Sequence, residues 1–151
     1  MEPRSAAHRI LIAVTSSSGP LGRRPTGAWL GEITGFWDEV RREGHAIDFA
    51  SPEGGDPPID PVSALLPGRS KRAFAGAPRA ELARSMRSVD VDPSRYDAIF
   101  FAGGHGTLWD FPADPGLVLA TEGIWRAGGV VAAVCHGPAA LLQARDQHGA
   151  P

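Results

Sequence analysis

The chain has 151 residues, the length of one domain, and its 42% hydrophobic and 21% charged residues are enough for a core, which excludes a disordered tail. Seventeen Asp and Glu against 15 Lys and Arg leave a net charge of −2, which excludes nucleic-acid binding by bulk charge, and no apolar run nears the ~18 residues of a membrane span. The single cysteine, Cys135, excludes an internal disulfide and a multi-cysteine metal site; with no signal-peptide pattern at the N-terminus, the expectation is a soluble, cytoplasmic protein.

Residues 10–14 form a short apolar run that stops at Thr15-Ser16-Ser17-Ser18-Gly19-Pro20, which predicts a strand buried on both faces and then a loop. Over residues 31–43, Ile33, Phe36, Trp37 and Val40 fall at i, i+3, i+4 and i+7, the stripe of an amphipathic helix, with Gly44 placed to end it. Residues 46–50 predict a second strand, interrupted by Asp48. The five prolines of residues 51–68 exclude regular structure there and predict a long loop of the kind used as a lid. A helix is expected within residues 70–88, at least from Pro78 onward, with Leu82 and Met86 on one face. Residues 98–102 predict a third strand and 117–127 a helix closed by Gly128-Gly129. Residues 130–134 predict a fourth strand, and a helix follows from 138 to about 144.

Continuous apolar strands alternating with helices mean a parallel sheet covered on both faces, a single α/β domain over residues 1–151. In such sheets ligands bind beyond the carboxyl ends of the strands. Three segments emerge there: residues 15–19, Gly103-Gly104-His105-Gly106-Thr107 and Cys135-His136-Gly137-Pro138. Cys135 stands between a strand and a helix with small residues at −2 (Ala133) and +2 (Gly137), the spacing of a nucleophile elbow. A thiol at a helix N-terminus has its thiolate favoured by the dipole; the alternative is a buried cysteine that packs. Gly103 and Gly104, with the amide of His136, are candidate oxyanion donors or an ordinary strand-end turn. His105 points into the same cleft or is structural. Glu32 is either a charge that compensates a helix dipole or, among Trp29, Leu30 and Ile33, a buried acid beside the thiol.

Phe100-Phe101-Ala102-Gly103-Gly104-His105-Gly106-Thr107 and Ala132-Ala133-Val134-Cys135-His136-Gly137-Pro138 together resemble the PfpI superfamily, also described as class I glutamine-amidotransferase-like. Thr26-Gly27-Ala28-Trp29-Leu30-Gly31-Glu32, Ser51-Pro52-Glu53-Gly54-Gly55 and Pro58-Ile59-Asp60-Pro61 are similar to its branch of glutathione-independent glyoxalases (glyoxalase III) and related heat-shock chaperones. The resemblance implies a flavodoxin-like three-layer α/β/α sandwich, with Cys135 as nucleophile, His136 as its companion and Glu32 as the buried acid facing the thiol. It implies conversion of methylglyoxal-type α-oxoaldehydes to hydroxy acids without a metal or cofactor. The other readings are a stress-related holdase chaperone and an inactive amidotransferase-like remnant.

Members of the superfamily continue past the elbow helix with further strands and a closing helix, so the expectation is a chain truncated at its C-terminus. Asp146 lies too close to the elbow helix to be the acidic partner of His136. In a strand order 2-1-3-4, residues 130–134 form an outer strand without charge, proline or bulge. That predicts self-association or a homodimer through this edge, low stability and weak turnover.

Overall fold

Five parallel strands lie in the order β3-β2-β1-β4-β5 in a computed structural model that describes residues 7–20 and 22–150. They are β1 (Arg9–Ala13), β2 (Ala46–Ser51), β3 (Met86–Arg87), β4 (Ala98–Phe101) and β5 (Val130–Ala133). Helix α1 (Leu30–Arg42) joins β1 to β2. Helices α2 (Pro61–Leu65), α3 (Arg69–Phe74) and α4 (Ala77–Leu82) lie between β2 and β3. Helices α5 (Thr107–Asp110) and α6 (Pro115–Arg126) lie between β4 and β5. The four strands read from the sequence keep their expected order, and the chain folds as a flavodoxin-like α/β/α sandwich.

Alternation along β1 divides the core. Ile12 and Val14 point to one face, where Ile33, Trp37, Phe49, Phe74 and Leu82 cover them; Leu11 and Ala13 point to the other, under Phe111, Leu117 and Ile124. The stripe read on α1 is the buried one: Ile33, Trp37 and Val40 are inside, and Phe36 stacks on Phe100 with ring centroids 3.8 Å apart. Gly44, at φ +84°, closes α1 in the left-handed conformation its position requires.

Three expectations are corrected. The proline-rich segment contains α2, because Pro61 occupies the first turn, where no amide is needed, and Asp60 caps it by accepting from the amides of Val62 (2.9 Å) and Ser63 (3.2 Å). The helix expected over residues 70–88 is two short ones, broken where Gly76 takes φ +81°, and Met86 begins the two-residue strand β3. The helix expected after the elbow is a 3₁₀ turn, Gly137–Leu141.

Below the site, at the amino ends of the strands, Asp48 accepts hydrogen bonds from Arg9 Nε (2.8 Å) and from the Tyr96 hydroxyl (3.0 Å). Burial pushes the Asp48 carboxyl up, but these two donors outweigh it and hold it below the usual carboxylate range. Burial and the neighbouring Asp48 push the Tyr96 hydroxyl up to about 12.

Candidate active site

β4 and β5 are in register, Phe101 beside Ala133, so the segments leaving their carboxyl ends emerge together. Cys135 has φ +56°, the one non-glycine residue with positive φ among the described residues. For a side chain of this kind that backbone costs roughly 1–3 kcal/mol and persists only where the surroundings impose it. They do so here. Val134 N–H donates to Phe101 O (3.2 Å), Gly137 N–H to Val134 O (2.8 Å), and a Cβ on Gly137 would lie 2.4 Å from Phe101 O. The small residue at +2 lets the chain turn over the end of β4, as the elbow spacing requires.

Cys135 is exposed, which removes the reading of a buried packing residue, and its Sγ lies 3.1 Å from His136 Nδ1. The turn that follows is five residues of 3₁₀ structure, too short to supply the helix dipole expected beside the thiol.

Glu32 comes from the first turn of α1, across the sheet from the elbow. Its Oε2 accepts a hydrogen bond from Gly103 N–H at 2.8 Å. A Cβ on Gly103 would lie 2.6 Å from Cys135 Cβ and 2.8 Å from Glu32 Oε2, so this glycine is the gap through which carboxylate and cysteine approach each other. Glu32 is half-buried rather than buried.

The oxyanion expectation also changes. Gly103 N–H is engaged by Glu32 and is no free donor. The amides of Gly104 and His136 have no hydrogen-bond partner among the described residues and remain as the candidate pair. His105 is half-buried, its ring 4.5 Å from that of His136 and tilted by 39°.

Contacts the sequence reading did not anticipate brace these groups. Thr107 Oγ1 lies 2.9 Å from Gly104 O and 3.2 Å from His136 O, so its one hydroxyl hydrogen ties together the segments after β4 and β5. Trp29 N–H donates to Gly103 O (2.9 Å), and Gly104, at φ +110°, would set a Cβ 2.1 Å from Gly27 O; the Gly27-Ala28-Trp29 segment therefore packs backbone to backbone against the Gly103-Gly104 loop. Asp60 accepts from Thr26 Oγ1 (3.0 Å) and so fixes the start of that segment. Asp110 holds the loop after β1 by accepting from Thr15 Oγ1 (2.8 Å) and Ser16 N–H (2.7 Å), and burial raises its carboxyl above the usual range. The signals were faint: single polar residues whose partners lie 29 to 95 positions away in sequence.

The chain resembles known proteins over most of its length. The family model described as "DJ-1/PfpI family" matches residues 27–150. The Saccharomyces cerevisiae protein "Probable glutathione-independent glyoxalase SNO4" is 36% identical over 138 residues, covering 86% of this chain and 58% of its own length. The crystal structure of glyoxalase III from Candida albicans superposes with a TM-score of 0.83 at 30% identity, covering 93% of this chain and 63% of that one. The Francisella tularensis Rapid Encystment Protein 24 kDa gives a TM-score of 0.84 at 35% identity, with 94% and 64% covered. The chain thus spans about three-fifths of the length of these relatives. A match over most of its residues to the family model, together with relatives at this identity, means that the chain belongs to the DJ-1/PfpI family, on its glyoxalase III-like branch.

Proposed function

We propose that the site performs glutathione-independent glyoxalase chemistry on small α-oxoaldehydes such as methylglyoxal. The observation that carries this reading is the meeting of an exposed thiol on a strained turn with a carboxylate on the far side of Gly103. Relatives bearing the glyoxalase name support it.

The steps follow from these groups. Cys135 Sγ, as thiolate, adds to the aldehyde carbon of methylglyoxal to give a hemithioacetal, with His136 Nδ1, 3.1 Å away, positioned to exchange the thiol proton. The amides of Gly104 and His136 donate to the oxygen that gains charge. Glu32 removes the proton from the former aldehyde carbon and returns it to the neighbouring ketone carbon, so that the ketone becomes an alcohol and the hemithioacetal a thioester. Water hydrolyses the thioester, which releases lactate and restores the thiol. The sum is methylglyoxal plus water to lactate, with no redox partner. The substrate is a small aldehyde, and a cytoplasmic setting suits a free thiol in this role.

The test is lactate formation from methylglyoxal by the 151-residue chain with no glutathione present. Lactate is expected with the wild type and absent with Cys135→Ala. With Glu32→Gln, turnover is expected to fall by about 10²–10⁴-fold while the thermal melt is retained. Lactate formation unchanged by either substitution would overturn the assignment, as would its absence from a folded wild type.

A further inference from the structure

In the run Gly103-Gly104-His105-Gly106, His105 alone carries a side chain. The glycines on either side of it make close backbone contacts: a Cβ on Gly104 would lie 2.1 Å from Gly27 O, and one on Gly106 would lie 2.3 Å from Ser17 O. Gly106 N–H donates to Gly27 O (3.4 Å) and Leu108 N–H to His105 O (3.1 Å). The backbone is pinned before and after His105, so the point from which its ring projects is set. That ring lies 4.5 Å from the ring of His136 and is tilted by 39° to it. Thr107 Oγ1, 2.9 Å from Gly104 O and 3.2 Å from His136 O, ties the same loop to the elbow. The two imidazoles therefore stand on backbones fixed to each other.

His136 has a use for such a neighbour. Its side chain turns about two bonds, and in histidine the second is broad and roughly two-fold, so the backbone of the elbow does not by itself set the plane of the ring. Nδ1 is nevertheless 3.1 Å from Cys135 Sγ. A second ring lying against one face restricts the plane, and within that plane the contact with Sγ selects the nitrogen that faces it. The separation of the two rings is that of packed aromatic side chains. Packing of this kind leaves Nδ1 to the thiol, whereas a hydrogen bond to Nδ1 would compete for it.

We propose that His105 is a positioning residue: its ring holds the plane of His136, and through it the contact of Nδ1 with Cys135 Sγ. The inference rests on the role proposed above for His136, the exchange of the thiol proton. It differs from substrate binding in what a substitution changes. Loss of a substrate ligand raises KM, whereas a misoriented His136 slows the step that uses its nitrogen and leaves KM alone. The role also requires a flat ring and no charge, so a phenyl group serves in place of the imidazole.

The test uses His105→Ala, His105→Asn and His105→Phe in the 151-residue chain, with circular dichroism melts as the control for folding. The first readout is lactate formation from methylglyoxal. The Ala and Asn variants are each expected to lower kcat by about 10–10²-fold, the upper figure being the scale of a 1 Å misplacement, with KM unchanged. The Phe variant is expected to recover most of that loss. The second readout is made without substrate: a nuclear Overhauser contact between the His136 ring and the Cys135 β-protons, expected in the wild type and the Phe variant and lost in the other two. Should the Ala variant fail to fold, the Asn variant decides. Wild-type kcat in a folded Ala or Asn variant, a raised KM at constant kcat, or a loss in the Phe variant equal to that in Ala would each overturn the proposal. So would an Overhauser contact that survives removal of the ring. A folded wild type that forms no lactate overturns the glyoxalase reading instead, and the Overhauser contact then decides the role of His105 by itself.

Discussion

β4 and β5 run side by side and each delivers half of the site, yet they occupy opposite environments. β4 is bonded on both edges, with Ile99 and Phe101 fully buried; among the described residues β5 is bonded on one edge, with Val130 exposed and the rest of the strand half-buried. The elbow nevertheless holds its strained geometry, because its restraints come from β4 and the loop after it. They are the Phe101 carbonyl under Gly137 and the Thr107 hydroxyl near His136 O, with Gly103 in close contact beside Cys135. The geometry of the reactive turn is thus set by the neighbouring strand β4 and its loop.

Core deletion tests this contrast most strongly. Phe101→Ala is expected to cost about 3–5 kcal/mol in a urea melt, as a buried phenylalanine does. Val131→Ala, half-buried on β5, is expected to cost no more than about 1–1.5 kcal/mol, a part of the value for a fully buried side chain. Equal losses would mean that β5 is as well packed as β4.

Next is Gly103→Ala, whose Cβ would meet Cys135 Cβ at 2.6 Å and Glu32 Oε2 at 2.8 Å. Overpacking of this kind costs about 1–3 kcal/mol. The displaced carboxylate is expected to lower lactate formation by about 10²-fold, the scale of a 1 Å misplacement. A variant with wild-type turnover would show that the approach of Glu32 to Cys135 is not what the chemistry uses.

Thr107→Val keeps the shape and removes the hydroxyl that lies between Gly104 O and His136 O. A loss of about 1 kcal/mol is expected, with a rise in the alkylation rate of Cys135 as the elbow loosens. A melt and an alkylation rate equal to those of the wild type would show that the β4 loop does not brace the elbow.

The smallest effects are in pH dependence, and two half-buried carboxylates have opposite signs. Asp110 is raised by burial, so its contribution to stability is present below the unfolded value of 3.8 and lost as pH rises through its higher folded value. Asp110→Asn is expected to gain melting temperature relative to wild type between pH 4 and pH 7. Asp48 is lowered by its donors, so its contribution is present above 3.8 and lost as pH falls through its lower folded value. Asp48→Asn is expected to melt below wild type at pH 7, with the gap closing toward pH 3. Parallel profiles for the two variants would show that these networks do not titrate as their partners imply.

Four strands, the buried stripe of α1, the Gly44 stop and the small residues around Cys135 were legible in the sequence by itself. Each depends on run length, period or a glycine at a fixed offset, and such signals lie within about ten residues of one another. What only the tertiary structure decided concerns partners distant in the chain. Gly103 donates its amide to a glutamate 71 residues earlier, and so leaves the oxyanion pair to Gly104 and His136. The helices α2 and α3 and the strand β3 are too short for a period to show, and exist because Asp60, Gly76 and the edge of β2 give each a start, a break or a ladder. β5 makes the same point from the other side: its apolar run specifies a strand with neighbours, but burial belongs to a pair of surfaces, and a sequence states only one of them.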